Sequence, residues 1–149
     1  MSSTTVRPDT FSHRRRVTWA ETDAAGAVDL GNIMRYSMEA LEEWFVERLG
    51  LNWHELHVIR RIGTPFVRAD LELISPVRPS DQLSVVVRVE RMGRSSVDFD
   101  VIGCSEPEAN QRWKGRFKCV FIEAERRTSI SIPDNFRAVI EREINSASA

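Results

Sequence analysis

The sequence predicts an α+β fold in which an antiparallel five-stranded sheet packs against one long helix. Residues 32–49 form the one long stretch whose apolar residues recur at helical spacing. The stretches after it alternate apolar and polar residues with a period of two and are separated by short turns, as expected for antiparallel strands. One amphipathic helix and a sheet with one apolar face would bury these surfaces against each other.

The first strand is predicted at residues 13–21, where Val17 and Trp19 point to one side and Arg16 and Thr18 to the other. The helix follows, and its glutamates lie mostly opposite its apolar residues. Those apolar residues are Ile33, Met34, Met38, Leu41, Phe45 and Leu49. Gly50 is expected to end the helix, because glycine readily takes the left-handed conformation common at that point.

Four more strands are predicted after the helix, joined by turns rich in Gly, Pro, Ser and Asp. They cover residues 65–73, 83–91, 97–101 and 113–122. In the first of these, one face would carry Val67, Ala69, Leu71 and Leu73. A short terminal helix is expected after Pro133.

Apolar residues also occur on the side of the strands that faces away from the helix. They are Val86, Ile102, Val120 and Ile122. One helix cannot cover both faces of the sheet, and an apolar outer face usually meets another subunit. We therefore expect a homo-oligomer, at least a dimer.

The chain of 149 residues is expected to form a single domain, with residues 1–12 as a loose polar lead-in. A net charge of -1 provides no basic field for nucleic acid. No apolar run reaches the roughly 18–20 residues of a membrane span, and no export signal is visible. Two separate cysteines and three histidines follow no disulfide or metal-site spacing. We expect a cytoplasmic protein with no metal, cofactor, nucleic-acid or membrane partner.

The stretch "WAETDAAGAVDLGN", residues 19–32, carries two carboxylates at the start of the helix. Asp23 precedes a small flexible turn, and Asp29 stands where a helix N-cap would lie. Both could be purely structural. Alternatively, Asp23 could attack a carbonyl or activate water, while unpaired N–H groups at the helix start stabilise the oxyanion. That pairing suits thioester hydrolysis.

This stretch resembles the signature of the 4-hydroxybenzoyl-CoA thioesterase branch of the hotdog fold. The matching residues are Trp19, Glu21, Asp23, Ala25, Gly26, Val28 and Asn32. Three later segments, "IGTP" (62–65), "RSS" (94–96) and "SIPDNF" (131–136), are similar to that family in the same order. The resemblance covers roughly residues 12–140 and implies a sheet wrapped around the long helix.

The resemblance also implies roles for individual residues. Asp23 would be the nucleophile or general base, and the N–H of Leu30, with Gly31 beside it, would bind the oxyanion. Asn32 and, from across a subunit interface, Thr64 would contact the substrate. CoA phosphates would be held by Arg94 and Ser95 and, more weakly, by Arg126 and Arg127. Outside this set, residues 14–16 are interpreted as a solvated strand end, and His54 and His57 as surface residues.

The expected activity is hydrolysis of an acyl-CoA to a free acid and CoA by a dimer or tetramer. The resemblance implies an aromatic acyl group like 4-hydroxybenzoyl as one candidate, while the residues themselves leave the acyl group open. Relatives carry aromatic or histidine residues where this chain has Asp29 and Leu30, and a carboxylate there would disfavour an anionic acyl group. A hotdog dehydratase is an alternative, but it needs an active-site histidine, and none occurs between His13 and His54. A hotdog protein that binds acyl-CoA or acyl carrier without turnover is the other alternative.

Overall fold

The structure is a computed structural model and describes residues 9–148, with side chains to residue 146. Within this range the chain forms two α-helices, α1 (Leu30–Trp44) and α2 (Asp134–Ser148). The strands are β1 (Phe11–Arg16), β2 (Ile62–Gly63), β3 (Phe66–Leu73), β4 (Gln82–Met92), β5 (Ser96–Ser105), β6 (Asn110–Val120) and β7 (Ile122–Glu123). The predicted α+β class is confirmed.

Five strands form one antiparallel sheet in the order β1-β4-β5-β6-β3, and β2 pairs with β7 in a small second sheet. The inner face of the large sheet and the buried side of α1 share one hydrophobic core. Its largest fully buried side chains include Trp44, Trp113, Phe99 and Phe117. A five-stranded sheet around one long helix is the hotdog arrangement.

Helix α1 begins after Asp29 and continues beyond Trp44 as a π-helical turn over Phe45–Leu49. Gly50 ends it with a φ of 79°, as predicted. Its buried residues are Ile33, Tyr36, Ser37, Ala40, Leu41 and Trp44. Met34 and Met38, which the sequence also assigned to the apolar face, are only partly buried at its margin.

The first strand is shorter than predicted. It ends at Arg16, and a 3-10 turn over Trp19–Glu21 redirects the chain. Val17 is therefore 1% exposed and Trp19 76% exposed, so the predicted common face is wrong. The strand begins at Phe11, within the predicted lead-in, and residues 1–8 of that lead-in lie outside the described residues.

Strand β3 lies at the edge of the sheet, and its register changes between Phe66 and Arg68. Val67 falls at this irregularity and is 59% exposed, so it does not share a face with Ala69, Leu71 and Leu73. Of those three residues, Ala69 and Leu73 are also exposed, and only Leu71 packs against the core. Phe66 packs against the core in place of Val67, opposite the buried Cys119. A period-two pattern cannot reveal a bulge, because the extra residue shifts the alternation by one.

Two of the apolar residues that the sequence assigned to the outer face, Val86 and Ile122, are only 1% and 8% exposed in the single chain, so they offer little surface for a subunit contact. That face instead carries surface ion pairs, among them Arg116–Asp100 and Lys114–Glu72. The exposed apolar side chains of the sheet lie on or beside β3. They are Val67, Leu73 and Ile74. In the described part of the chain, no helix is long and apolar enough to span a membrane.

Candidate active site

Asp23 lies in a tight turn whose ends are joined by a bridge between Thr22 and Val28. The N–H of Asp23 donates to the carbonyl of Ala27 at 2.8 Å. One carboxylate oxygen, Oδ1, accepts hydrogen bonds from the N–H groups of Ala25 (2.9 Å) and Ala27 (3.2 Å). The side chain is exposed in the single chain. These bonds fix the orientation of the carboxylate and leave Oδ2 without a partner among residues 9–148.

Asp29 caps helix α1, as the sequence predicts. Its Oδ1 accepts from the N–H of Asn32 at 2.8 Å, and its carbonyl accepts from the N–H of Ile33 at 3.1 Å. The N–H groups of Leu30 and Gly31 have no hydrogen-bond partner within the described range. Helix N-termini present such free donors together with a partial positive charge, so this pair can stabilise an oxyanion.

Glu21, two residues before Asp23, is buried beneath this junction and 8% exposed. Its carboxylate accepts from Arg15 at 2.7 and 2.8 Å, from Arg35 at 2.8 Å and from the Thr18 N–H at 2.9 Å. Burial alone would raise its pKa, but the hydrogen bonds from Thr18 and the charge of Arg15 outweigh it and lower the pKa to about 2. Glu21 is therefore ionised at neutral pH.

Arg15 is not part of a solvated strand end, so the interpretation of residues 14–16 is wrong at this position. Its side chain is 16% exposed, binds Glu39 as well as Glu21, and stacks on the ring of Tyr36 at 4.0 Å. Sequence reasoning missed this network, although an arginine six residues before a glutamate at a strand end was visible. The pair forms because the turn at Trp19–Glu21 folds the chain back onto β1.

The side chain of Asn32, a predicted substrate contact, is engaged within the protein. Its Nδ2 donates to the backbone carbonyl of Glu21 at 3.0 Å. Since its own N–H binds Asp29, Asn32 connects the helix cap to the turn that precedes Asp23. The turn and the helix start are thus held together by one side chain.

Thr64 lies in a different part of the chain, where it lines a cavity of ≈ 470 Å³. The cavity is lined mainly by apolar and aromatic side chains. Its lining residues are Met38, Trp53, His57, Ile62, Thr64, Pro65 and Phe66. His57, interpreted from the sequence as a surface residue, is exposed but contributes to this lining. Asp23 does not line this cavity, so one chain does not join the carboxylate and Thr64 in it.

Arg94 and Ser95 form the turn between β4 and β5 and lie against the segment that leads into α2. Arg94 donates to the hydroxyl of Ser131 at 2.7 Å, and the Ser95 carbonyl accepts from the N–H of Phe121. Arg137, which the sequence analysis did not single out, donates to the carbonyls of Gly93 and Arg94. No salt bridge within residues 9–148 neutralises either arginine, so the turn is electropositive.

Among the described residues, no three His, Cys, Asp or Glu side chains lie close enough together to bind a metal ion. Both cysteines are buried, and burial raises the pKa of the Cys119 thiol to about 12. The polar groups at the start of α1 therefore remain the best candidates for chemistry.

Residues 17–140 match the family described as the thioesterase-like superfamily. The crystal structure of a thioesterase superfamily protein from Jannaschia sp. CCS1 is 35% identical, with a TM-score of 0.85 over 95% of this chain and 98% of that one. This likeness confirms the predicted hotdog fold.

Two curated relatives are 1,4-dihydroxy-2-naphthoyl-CoA hydrolases. The protein of Nostoc punctiforme is 25% identical over 126 residues, which cover 83% of this chain and 82% of that protein. The protein of Thermosynechococcus vestitus is 29% identical over 83 residues, and this match spans only 56% of each chain.

Proposed function

Because the chain belongs to the thioesterase-like superfamily, we propose that it is an acyl-CoA thioesterase that hydrolyses a CoA thioester to a free acid and CoA. The prediction of a thioester hydrolase is confirmed by the family and by the named relatives. The observation that carries the proposed mechanism is the exposed, oriented carboxylate of Asp23 in the turn that leads into α1, whose first N–H groups, those of Leu30 and Gly31, are free within the described residues.

In this proposal, Asp23 initiates the attack on the thioester carbonyl. Either its carboxylate attacks directly, or it takes a proton from a water molecule that attacks. The carbonyl oxygen becomes negatively charged and is stabilised by the N–H of Leu30, with that of Gly31 nearby. The C–S bond then breaks, and the departing CoA thiolate takes up a proton, either the one that Asp23 removed from water or, after direct attack, one from solvent. In the direct route, water then hydrolyses the anhydride formed between Asp23 and the acyl group, which releases the acid and restores the carboxylate. The leucine side chain does not interfere, because the donor is a backbone group.

We further propose that the acyl group is aromatic. The cavity beside Thr64 supports this, because a volume of ≈ 470 Å³ is in the range of small-molecule pockets and its walls include Trp53 and Phe66. Thr64 and His57 are the polar side chains that could bind a ring hydroxyl. The relatives act on a hydroxylated naphthoyl thioester, and the ordered motifs resemble the 4-hydroxybenzoyl-CoA branch.

We also propose that the chain forms a homo-oligomer, either a dimer or a tetramer. Asp23 does not line the Thr64 cavity of its own chain, so a second copy would have to bring its cavity to the turn. The edge strand β3 supports such a contact, because it has an unpaired side and carries exposed Val67 and Leu73. Ile59, 69% exposed, adds apolar surface shortly before β2.

The turn with Arg94 and Ser95 is proposed to hold the phosphates of CoA. Its support is the absence of a neutralising carboxylate on Arg94 or Arg137 within the described residues, together with the hydroxyl of Ser131 beside Arg94. Arginine forms strong charge-assisted bonds to phosphate. Arg126 and Arg127 are exposed and remain weaker candidates.

Release of free thiol from a panel of acyl-CoAs tests the proposal. The panel contains benzoyl-, 4-hydroxybenzoyl- and hydroxynaphthoyl-CoA, with acetyl- and octanoyl-CoA as aliphatic counterparts. We expect turnover, with the highest kcat/KM on a hydroxylated aromatic thioester. Tight binding of every CoA thioester without thiol release would favour a binding protein instead. Loss of water from a 3-hydroxyacyl-CoA would favour a dehydratase.

A further inference from the structure

Glu21 is a buried carboxylate that takes no part in the proposed reaction, and it connects three parts of the chain. It accepts hydrogen bonds from Arg15 on β1, from the Thr18 N–H in the intervening loop and from Arg35 on α1. Its carboxylate therefore joins β1, the loop that precedes Asp23 and α1 at one point.

The backbone of Glu21 reaches the helix cap as well. Its carbonyl accepts from Asn32 Nδ2 at 3.0 Å, and the N–H of Asn32 is bound by Asp29. The hydrogen bonds of Asp23 itself all remain within its own turn. They set the shape of the turn but not its position relative to α1. The leading end of the turn is positioned through Glu21, and the trailing end through the bond from the Val28 N–H to the Val77 carbonyl.

We propose that Glu21 is a positioning residue that fixes the Asp23 turn relative to the free N–H groups at the start of α1. The inference rests on the proposed function, because the spacing matters for catalysis only if Asp23 and these N–H groups act on one thioester. Two arginines from different elements hold the carboxylate, so it cannot rotate without breaking an ion pair. Loss of its charge would let the turn drift while the helix cap survives.

Catalysis is sensitive to such drift. A displacement of about 1 Å at reacting groups can reduce the rate by roughly a hundredfold. Substrate affinity should respond less, because the proposed CoA and acyl contacts, Arg94 and Thr64, lie on other elements. A positioning role therefore predicts a fall in kcat with little change in KM.

The first test uses Glu21→Gln, with Glu21→Asp as the conservative variant, assayed well below the melting temperature of each. We expect kcat of Glu21→Gln to fall roughly tenfold to a hundredfold with KM within about twofold. Glu21→Asp, which keeps the charge, should recover part of the loss. A kcat of Glu21→Gln within twofold of wild type would overturn the proposal, and so would an Asp variant no better than Gln.

Arg35→Gln and Arg48→Gln form a matched pair that does not depend on removing the buried carboxylate. Arg35 lies in α1 and Arg48 lies in the π-helical turn that continues it. Each pairs with a glutamate, Arg35 with Glu21 and Arg48 with Glu143. Arg35 is 56% exposed at its side chain, so its removal should not prevent folding. We expect a severalfold loss of kcat for Arg35→Gln and none for Arg48→Gln. Equal kcat values for the two would overturn the proposal.

Hydrogen exchange separates this proposal from the proposed function. Backbone amides of residues 22–33 should exchange faster in Glu21→Gln than in wild type, whether or not the protein hydrolyses a thioester. If Glu21→Gln exchanges faster but the wild-type protein hydrolyses no thioester, Glu21 still positions the turn and the proposed thioesterase function is wrong. Unchanged exchange in this segment would contradict the positioning role even if the enzyme is active.

Discussion

The junction before α1 and the outer face of the sheet are both rich in arginine–carboxylate pairs, but they bury these pairs differently. At the junction, the side chains of Arg15 and Glu21 are 16% and 10% exposed, and the carboxylate also binds a backbone N–H. On the outer face, Arg116 and Asp100 are 59% and 36% exposed. Exposed pairs contribute little because water and salt screen them, whereas a buried pair is costly to break.

Two glutamates make the same contrast in their pKa values. Hydrogen bonds and Arg15 overcome burial and lower the pKa of Glu21 to about 2. On the outer face, partial burial and then the neighbouring Asp100 raise the pKa of Glu90, although Arg116 opposes this. Relative to the unfolded chain, folding therefore favours ionisation of Glu21 and disfavours ionisation of Glu90. Similar residue types thus form a buried network in one region and exposed surface pairs in the other.

The largest effect on stability should come from Glu21→Gln. It leaves a partly buried Arg15 without its main partner, and breaking such a pair typically costs about 3 kcal/mol. For a chain of this size, the melting temperature should fall by roughly 6–12 °C at neutral pH. Thermal unfolding followed by circular dichroism measures this change in melting temperature. A melting temperature equal to that of wild type would break the comparison between the two regions.

The pH dependence sharpens the same comparison. Because folding lowers the pKa of Glu21 from 4.5 to about 2, its contribution is present above pH 4.5 and is lost as the pH falls towards 2. The difference in melting temperature between wild type and Glu21→Gln should therefore narrow across this window. A difference that stays constant or widens on acidification would show that the charge of Glu21 does not stabilise the fold.

Arg94→Ala should weaken the binding of CoA thioesters. A charge-assisted bond to phosphate contributes about 1.5–3 kcal/mol, so KM should rise roughly tenfold or more. The control is a pantetheine thioester with the same acyl group, which lacks the nucleotide and should show no such loss. Arg116→Ala, at an exposed arginine of the outer face, should leave both KM values unchanged. Equal KM values of wild type on the two thioesters would rule out this phosphate site.

The smallest effect should come from Glu90→Gln. The raised pKa of Glu90 means that its negative charge is disfavoured in the folded state at neutral pH. Removing the charge relieves repulsion from Asp100 but also breaks an exposed pair with Arg116. We expect a melting temperature equal to that of wild type or slightly higher. A clear decrease, comparable to that of Glu21→Gln, would show that burial does not distinguish the two regions.

Much of the fold was predictable from the sequence because its periodicities are strong. The helical spacing identified α1, Gly50 marked its end, and Asp29 its cap. The alternating stretches identified the strands of the sheet. The bulge at Val67 was not predictable, since it depends on how β3 pairs with β6 rather than on local alternation.

The candidate site was predictable where its residues are contiguous and not where folding assembles it. Asp23, Leu30 and Gly31 lie within one short motif. The burial of Arg15 and Glu21 arises from a turn that the sequence suggested was a strand. Arg137 and Ser131 meet the Arg94 turn only because α2 returns to the β4–β5 hairpin. Contacts between distant segments leave no local pattern.

The most direct test of the account compares kcat of Asp23→Asn and Asp29→Asn on the best substrate of the panel. Asparagine can keep the hydrogen bonds of the turn and caps a helix about as well as aspartate, so both variants should fold. We predict that Asp23→Asn lowers kcat by about two orders of magnitude, the scale of losing a general base. Asp29→Asn should stay close to wild type. Near-native turnover by Asp23→Asn would contradict the account and remove the start of α1 as the active site.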